Sequence, residues 1–189
     1  AGILYSWMQQ QIAGKGNSYQ DMNKLAASVP VWSNGLVILP FGNGAERMLN
    51  NESKGASMSN LNFNVHKKEH LFRAALEGIA FSFVYGIDIL KNDGVDLKVI
   101  RAGNDNLFRS ELFSNTISTL VGADIKIMET TGAIGAARAA GVSSGAFKTI
   151  KEAFSDSEHS MTYHPLRDKK NYKEAYEVWK QELENQYHQ

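Results

Sequence analysis

Between Val99 and Ile125 the sequence reads VIRAGNDNLFRSELFSNTISTLVGADI. A strand-like apolar pattern runs into a small pair, Ala102-Gly103, then into a polar knot, Asn104-Asp105-Asn106, and then into an amphipathic run. The chemistry on offer is that of the backbone. A strand that stops on glycine just ahead of a helix presents free N–H groups and the positive end of a helix dipole. Gly103 has no Cβ, so a phosphate or a sugar can come close to the main chain. Asn104 and Asn106 each donate and accept, as an adenine edge or a ribose requires. The same residues also suit a β–α connection that binds nothing, because glycine is common at such turns.

Three other clusters invite chemistry. His66-Lys67-Lys68-Glu69-His70 matches H-x-x-E-H, a spacing that can place two imidazoles on a zinc ion. Its two lysines oppose a cation, and it falls at an expected helix start, so the structural reading of these residues is favoured over a metal-dependent hydrolase. Gly14-Lys15-Gly16-Asn17-Ser18 has part of a phosphate loop but not the full G-x-x-x-x-G-K-[ST], and no strand precedes it; it reads as a helix–helix turn. Arg73 and Glu77 stand four apart on a helical pattern and can pair there, in a structural rather than a catalytic role.

The elements that must hold these groups follow from periodicity. Ile3 to Ile12 reads as an amphipathic helix, and Ser18 with Asp21 three residues on caps a helix to about Ser28. GLVILPF is a strand buried on both faces, and SMSNLNFNV alternates as a half-buried one. His66 to Leu90 is the longest helix, with Phe72, Leu76, Ile79, Phe83, Ile87 and Leu90 in a broad stripe that calls for burial beneath a sheet. DLKVIRAG is a strand, Leu107 to Val121 a helix with Leu112, Ile117, Leu120 and Val121 inward, ADIKIME a strand, and GAIGAARAAG a helix whose small residues let it lie close to the sheet. Helical pieces at 147–154 and 168–187 close the chain. Alternation of helix and strand from His66 onward implies α/β layering with parallel strands.

The chain has 189 residues with 43% apolar content, enough for an ordinary core. Twenty acidic and 20 basic residues cancel, which argues against nucleic acid or an anionic membrane as the main partner. The best candidate span, Leu71 to Leu90, carries Arg73, Glu77 and Asp88 and does not suit a bilayer. There is no cysteine, which excludes disulfides and cysteine-based zinc sites and fits a reducing compartment. A helix-like pattern is already running at the first residues, as expected of a fragment.

Several stretches together resemble the C-terminal domain of the FGGY carbohydrate kinases. FGNGAER is followed by a glycine and by a helix with His70, Leu71, Arg73, Ala74, Glu77 and Gly78 in the family's h-L-x-R-A-x-x-E-G pattern. IRAG, GADI and TTGAIGAARAAG match in order the family's adenosine loop, next strand and small-residue helix. The resemblance covers nearly the whole chain and is nearest to the xylulokinases. It implies an α/β fold of the actin-like ATPase, ribonuclease-H-like kind, with a central mixed sheet flanked by helices. Residues 1–189 would be the C-terminal nucleotide-binding domain, truncated on its N-terminal side.

By resemblance, Gly103 contacts nucleotide through its backbone, with Ala102 beside it, and Asn104 or Asn106 reaches the adenosine. An A-G-x-x-x-Q-W element that touches ATP in related glycerol kinases appears here as AGILYSW, putting Gly2 and Ser6 at the contacting positions. The usual Gly-Gly is Ala102-Gly103, the loop is about two residues longer than usual, and Ser6 is shorter than the glutamine it replaces. The implied activity is transfer of the ATP γ-phosphoryl to D-xylulose, or otherwise to ribulose, gluconate or glycerol; a non-catalytic actin-like binding module is the other class. ATP and Mg²⁺ are the implied cofactors, with Mg²⁺ held mainly through ATP and the N-terminal domain. That domain would supply the general-base Asp, so no catalytic residue is expected in this chain. Its implied partners are ATP or ADP, a ketopentose and its own N-terminal domain; a homodimer is also admitted, and the setting is cytoplasmic.

Overall fold

The structure, a computed structural model, describes residues 2–14, 16–155 and 159–187, with the side chains of Asn106, His159 and Tyr187 outside that set. Helix α1 (Gly2–Met8) continues as a π-helical turn over Gln9–Ala13, which Gly14 ends at a φ of 84°. Helix α2 (Tyr19–Ala27) opens on the expected capping box: the Asp21 N–H donates to the Ser18 hydroxyl oxygen and the Ser18 N–H donates to the Asp21 carboxylate. The Ser18 hydroxyl first, and its N–H second, hold the Asp21 carboxyl below the ordinary carboxylate range.

Strand β1 (Val37–Phe41) pairs antiparallel with β2 (Gly55–Ser59). Val37, Ile38, Leu39 and Phe41 are all buried, as the unbroken apolar run requires. The second strand is not the one expected from alternation at 57–65. It stops at Ser59 because Asn60 takes a left-handed φ of 62°, and a turn follows in which the His66 N–H donates to the Asn62 carbonyl at 2.8 Å. Asn62 also accepts from the Asn64 N–H at 2.9 Å, so these asparagines serve local turns instead of a ladder. Leu61 and Val65 are exposed, and Phe63 is 89% exposed.

Helix α3 (Lys68–Asn92) organises the core. Phe72, Leu76, Ile79, Ala80 and Val84 are buried, and the helix lies against α2, β1 and α4. Gly78 touches the Ile38 carbonyl so closely that no Cβ could fit. One turn before it, Arg73 Nε meets Glu77 Oε1 at 2.8 Å, and Arg73 also donates to the Val29 carbonyl at 2.7 Å. Glu77 accepts the Trp32 N–H at 3.1 Å and so holds a turn in which Trp32, Ser33 and Asn34 have φ of 73°, 47° and 54°. Full burial pushes the Glu77 carboxyl up, against the pull of Arg73 and of that N–H. The expected pair is therefore structural: it fixes a left-handed turn that those residue types would otherwise resist.

Strand β3 (Val99–Gly103) runs parallel to β4 (Asp124–Met128), and β4 pairs antiparallel with β5 (His159–Tyr163). The first pair is the parallel one expected. Strand β5 was not expected, and the described strands form two sheets rather than one central sheet. Helix α4 (Glu111–Val121) buries Ile117 as expected, with Phe113 beside it, but much of the rest of its buried face consists of hydroxyl side chains. Ser114, Thr116, Ser118 and Thr119 are buried while Leu112, Leu120 and Val121 are only partly so. The hydroxyls are satisfied by the backbone: Ser114 donates to the Phe108 carbonyl at 2.9 Å and Ser118 to that of Ala123 at 2.8 Å.

Helix α5 (Gly132–Ser143) also departs from expectation. None of its residues is buried, and it packs on the short helix α6 (Ile150–Ala153) and its approach, not flat on the sheet. Its closest approach is Gly141 against the Phe147 ring, where a Cβ would stand 2.8 Å from ring carbons. Helix α7 (Lys170–Tyr187) returns to the other end of the molecule, where Trp179 Nε1 donates to the Ile38 carbonyl at 3.0 Å. No helix is long and apolar enough to cross a membrane among the described residues.

Candidate functional site: a groove at the end of β3

At the C-terminal end of β3 an open groove of about 780 Å³ runs between the sheet, α1 and the start of α5. Ala102 and Gly103 form part of its wall and Gly2 closes its far side. Phe83, Phe108 and Phe113 give it an aromatic flank, packed edge to face at centroid distances of 5.9, 5.7 and 5.3 Å. Asp105, Thr130, Thr131 and Gly132 supply the polar end.

The sequence-derived residues divide over this site. Gly2, Ala102 and Gly103 come together in the groove. Ser6 lies one turn further along α1, outside the lining, with its hydroxyl oxygen 3.3 Å from Gln10 Nε2. Asn104 is also outside the lining: its Nδ2 donates to both carboxylate oxygens of Glu129 at 3.0 and 3.2 Å. The Asn106 side chain falls outside the described residues; its backbone opens a 3-10 turn over Asn106–Arg109.

Two physical reasons given for this loop need correcting. The helix after β3 does not begin beside Gly103. It begins at Ser110, whose hydroxyl accepts from the Phe113 N–H at 3.5 Å, and the Asn104 N–H is already donated to the Met128 carbonyl at 2.9 Å. The helix start that borders the groove is that of α5, where Thr131 accepts the Ile134 N–H at 3.4 Å and Gly132 is part of the lining. Glycine at 103, moreover, answers to the protein itself. A Cβ there would stand 2.7 Å from the Thr130 carbonyl oxygen and 3.1 Å from Asp105 Oδ1. The bare Cα lets the β4–α5 connection and the Asp105 carboxylate close over the strand end, with the groove beside them.

Glu129 gathers the polar groups at the rim. The Ser160 hydroxyl first, then the Asn104 amide, with the charge of Arg109 adding, hold its carboxyl below the ordinary range. On the other side of Gly2 lies a second groove of about 690 Å³, reaching Tyr5, Tyr19, Asn23, Arg109 and Ser110. Tyr5 and Tyr19 stack there with centroids 5.8 Å apart, and the Tyr5 hydroxyl donates to Asn23 Oδ1 at 2.8 Å. Burial, with Tyr19 adding, pushes the Tyr5 phenol up. Motif spacing singled out none of Tyr19, Asn23, Phe108 and Phe113.

The H-x-x-E-H cluster is occupied by structural duties. His66 Nδ1 accepts the Asn62 N–H at 2.9 Å and its Nε2 lies 3.3 Å from the Asn34 carbonyl. His70 Nδ1 accepts the Lys67 N–H at 3.2 Å and its Nε2 lies 3.1 Å from Asn34 Nδ2. All four ring nitrogens are thus engaged in fastening the loop before α3 to the left-handed turn, which leaves no lone pair for zinc. Among the described residues no group of three or more His, Asp or Glu side chains could hold a metal ion.

This architecture is shared with known proteins. Residues 1–144 match the C-terminal domain of the FGGY family of carbohydrate kinases, and the chain belongs to that family. It is 30% identical over 175 residues to the xylulose kinase of Haemophilus influenzae, which covers 89% of this chain and 35% of that protein. Among solved structures, the xylulose kinase of Rhodospirillum rubrum superposes with a TM-score of 0.79 at 21% identity, over 98% of this chain and 38% of that one. The Plasmodium falciparum glycerol kinase with ADP gives 0.75 at 22% identity, over 96% and 36%. The fold is that of the actin-like ATPases, as the motifs implied. The chain spans about a third of the length of the kinases it matches.

Proposed function

We propose that this chain is the nucleotide-binding half, over residues 1–189, of an ATP-dependent sugar kinase, and that the whole protein transfers the γ-phosphoryl of ATP to D-xylulose. The observation that carries this reading is the groove joining Gly2 to Ala102-Gly103 at the end of β3, in a chain of a carbohydrate-kinase family. The aromatic flank suits a base, which can lie on ring faces and edges. The polar end suits a sugar. The α5 start adds the positive end of a helix dipole on the side where the phosphates would leave. Glycerol kinase among the structural relatives makes the other family substrates, glycerol included, the competing choice for the acceptor.

Phosphoryl transfer also needs charge neutralisation and a base on the attacking hydroxyl. Mg²⁺ is ordinarily bound through substrate phosphates with one or two carboxylates, so the ion would ride mainly on the nucleotide and on the N-terminal domain. Asp88 accepts from the Tyr176 hydroxyl at 2.8 Å and Asp124 pairs with His164 at 2.9 Å, while Asp105 lies in the groove itself, on the nucleotide's side of the reaction and not the acceptor's. A general base is therefore sought in an N-terminal domain. Ile3 and Trp7, at 57% and 49% exposed, face Met58 across a mostly apolar groove of about 350 Å³, a surface of the kind that interdomain contacts cover. The zero net charge fits a cytoplasmic enzyme acting on small molecules, and a homodimer stays a proposal.

Titration calorimetry of the chain with ATP, ADP and AMP tests the reading. All three bind weakly and without dependence on Mg²⁺, and a coupled assay finds no phosphorylation of D-xylulose above background. Turnover clearly above background would show that this chain holds its own base. Failure of every adenine nucleotide to bind at millimolar concentration would remove the nucleotide site.

A further inference from the structure

Among the described residues, the groove at the end of β3 is lined by two charged side chains, exposed Arg101 on the strand and half-buried Asp105, and the acceptor with unspent capacity is Asp105. It stands before the Asn106–Arg109 turn but does not cap it. Its carboxylate makes no hydrogen bond or ion pair with the described residues. It is half-buried, and it lies back over the bare Cα of Gly103, inside the lining. The neighbouring hydroxyls are engaged: Thr131 accepts the Ile134 N–H, and Thr130 lies 3.4 Å from the Thr131 carbonyl. Asn104, one of the two side chains expected to reach the adenosine, is held away by Glu129, and the side chain of the other, Asn106, falls outside the described residues.

An ionised carboxylate accepts and cannot donate, so it selects for a ligand group that brings donors. A nucleotide has two kinds. The vicinal 2′ and 3′ hydroxyls of ribose bring two donors side by side, matching the two carboxylate oxygens. The adenine edge brings one amino donor next to the N1 lone pair, which a carboxylate repels. The lining supplies both aromatic rings for a base and polar groups for a sugar.

We infer that Asp105 reads the ribose of the nucleotide, accepting from its vicinal hydroxyls and thereby selecting ribonucleotides over deoxyribonucleotides. This rests on the groove being the nucleotide site. It goes beyond that by naming the side chain, the ligand group and the basis of selection. The β3 loop carries Asn-Asp after its glycine, so a charged acceptor stands beside the backbone contact that the resemblance implies.

The test is ligand-observed NMR titration of the purified chain with ADP, 2′-deoxy-ADP and GDP. Wild type is expected to bind ADP roughly tenfold or more tighter than 2′-deoxy-ADP, the size of a hydrogen bond to a charged group. In Asp105→Ala the two affinities converge to within about twofold, because ADP loses two hydroxyl contacts and 2′-deoxy-ADP only that of its 3′-hydroxyl. Asp105→Asn keeps one acceptor without the charge and falls between. Circular dichroism melts confirm that both variants fold. Equal binding of ADP and 2′-deoxy-ADP to wild type overturns the assignment while leaving the nucleotide site standing. A preference for GDP that disappears in Asp105→Ala also overturns it, since the carboxylate would then be reading a base. Absence of ADP binding overturns both the assignment and the site.

Discussion

Replacing Gly103 by alanine tests whether the strand end and the groove are one construction. Position 103 has no left-handed φ, so alanine is conformationally acceptable, and the smaller freedom of the unfolded chain alone would stabilise by about 0.4–1 kcal/mol. Packing opposes this. The new Cβ meets the Thr130 carbonyl oxygen at 2.7 Å, closer than real side-chain carbons come, so backbone must move. That backbone is braced: the Met128 carbonyl accepts from the Thr130 N–H at 2.7 Å and from the Asn104 N–H at 2.9 Å, and Glu129 is tied to Asn104. Overpacking of this kind costs about 1–3 kcal/mol, which exceeds the entropic gain. The net loss of about 1–2 kcal/mol corresponds to a melting point lower by about 2–8 °C for a chain of this size. Because the same shift displaces Asp105 and the Thr130-Thr131-Gly132 edge, ADP affinity falls as well. Scanning calorimetry with ADP titration reads both. A variant that melts at or above wild type and binds ADP equally well would refute the packing argument and the coupling of strand end to groove.

Other outcomes follow from the same geometry. Glu77→Ala leaves a buried guanidinium, still bonded to the Val29 carbonyl, without its carboxylate partner, and it frees the Trp32 N–H in a left-handed turn; urea unfolding is expected to show a loss of about 3–5 kcal/mol, and a loss below about 1 kcal/mol would contradict the role assigned to the pair. The Glu129 carboxyl titrates below the ordinary carboxylate range, so its contribution to stability is present above the unfolded pKa and lost as pH falls through the folded one. Carboxyl-carbon NMR checks this: Asn104→Ala moves the midpoint up, and an unshifted midpoint in wild type would contradict the hydrogen bonds between Asn104 and Glu129.

Much of the fold was legible where one rule governed. The Ser18-Asp21 spacing fixed a capping box, the GLVILPF run fixed a strand buried on both faces, and the α3 stripe fixed the core helix. Reading failed where side-chain type and local hydrogen bonding disagreed. The alternation at 57–65 imitated a strand, but its asparagines closed turns on their own backbone and left Phe63 outside. Apolar periodicity placed only aliphatic residues of α4 inward and did not foresee that Ser114, Ser118 and Thr119 would be buried as well, each with a backbone carbonyl or N–H within reach. In the site, glycine spacing located the strand end and the groove. It could not show that Asn104 would turn to Glu129, 25 residues away, and leave Asp105 as the open acceptor.

The central claim is that nucleotide lies in the groove between Gly2 and Gly103. Amide chemical-shift mapping of the chain during ADP titration tests it most directly. The largest changes are expected at Gly103, Asp105, Thr131 and Gly132. Changes confined to Tyr19, Gln20 and Asn23 in the neighbouring groove, with Gly103 and Gly132 unmoved, would contradict it.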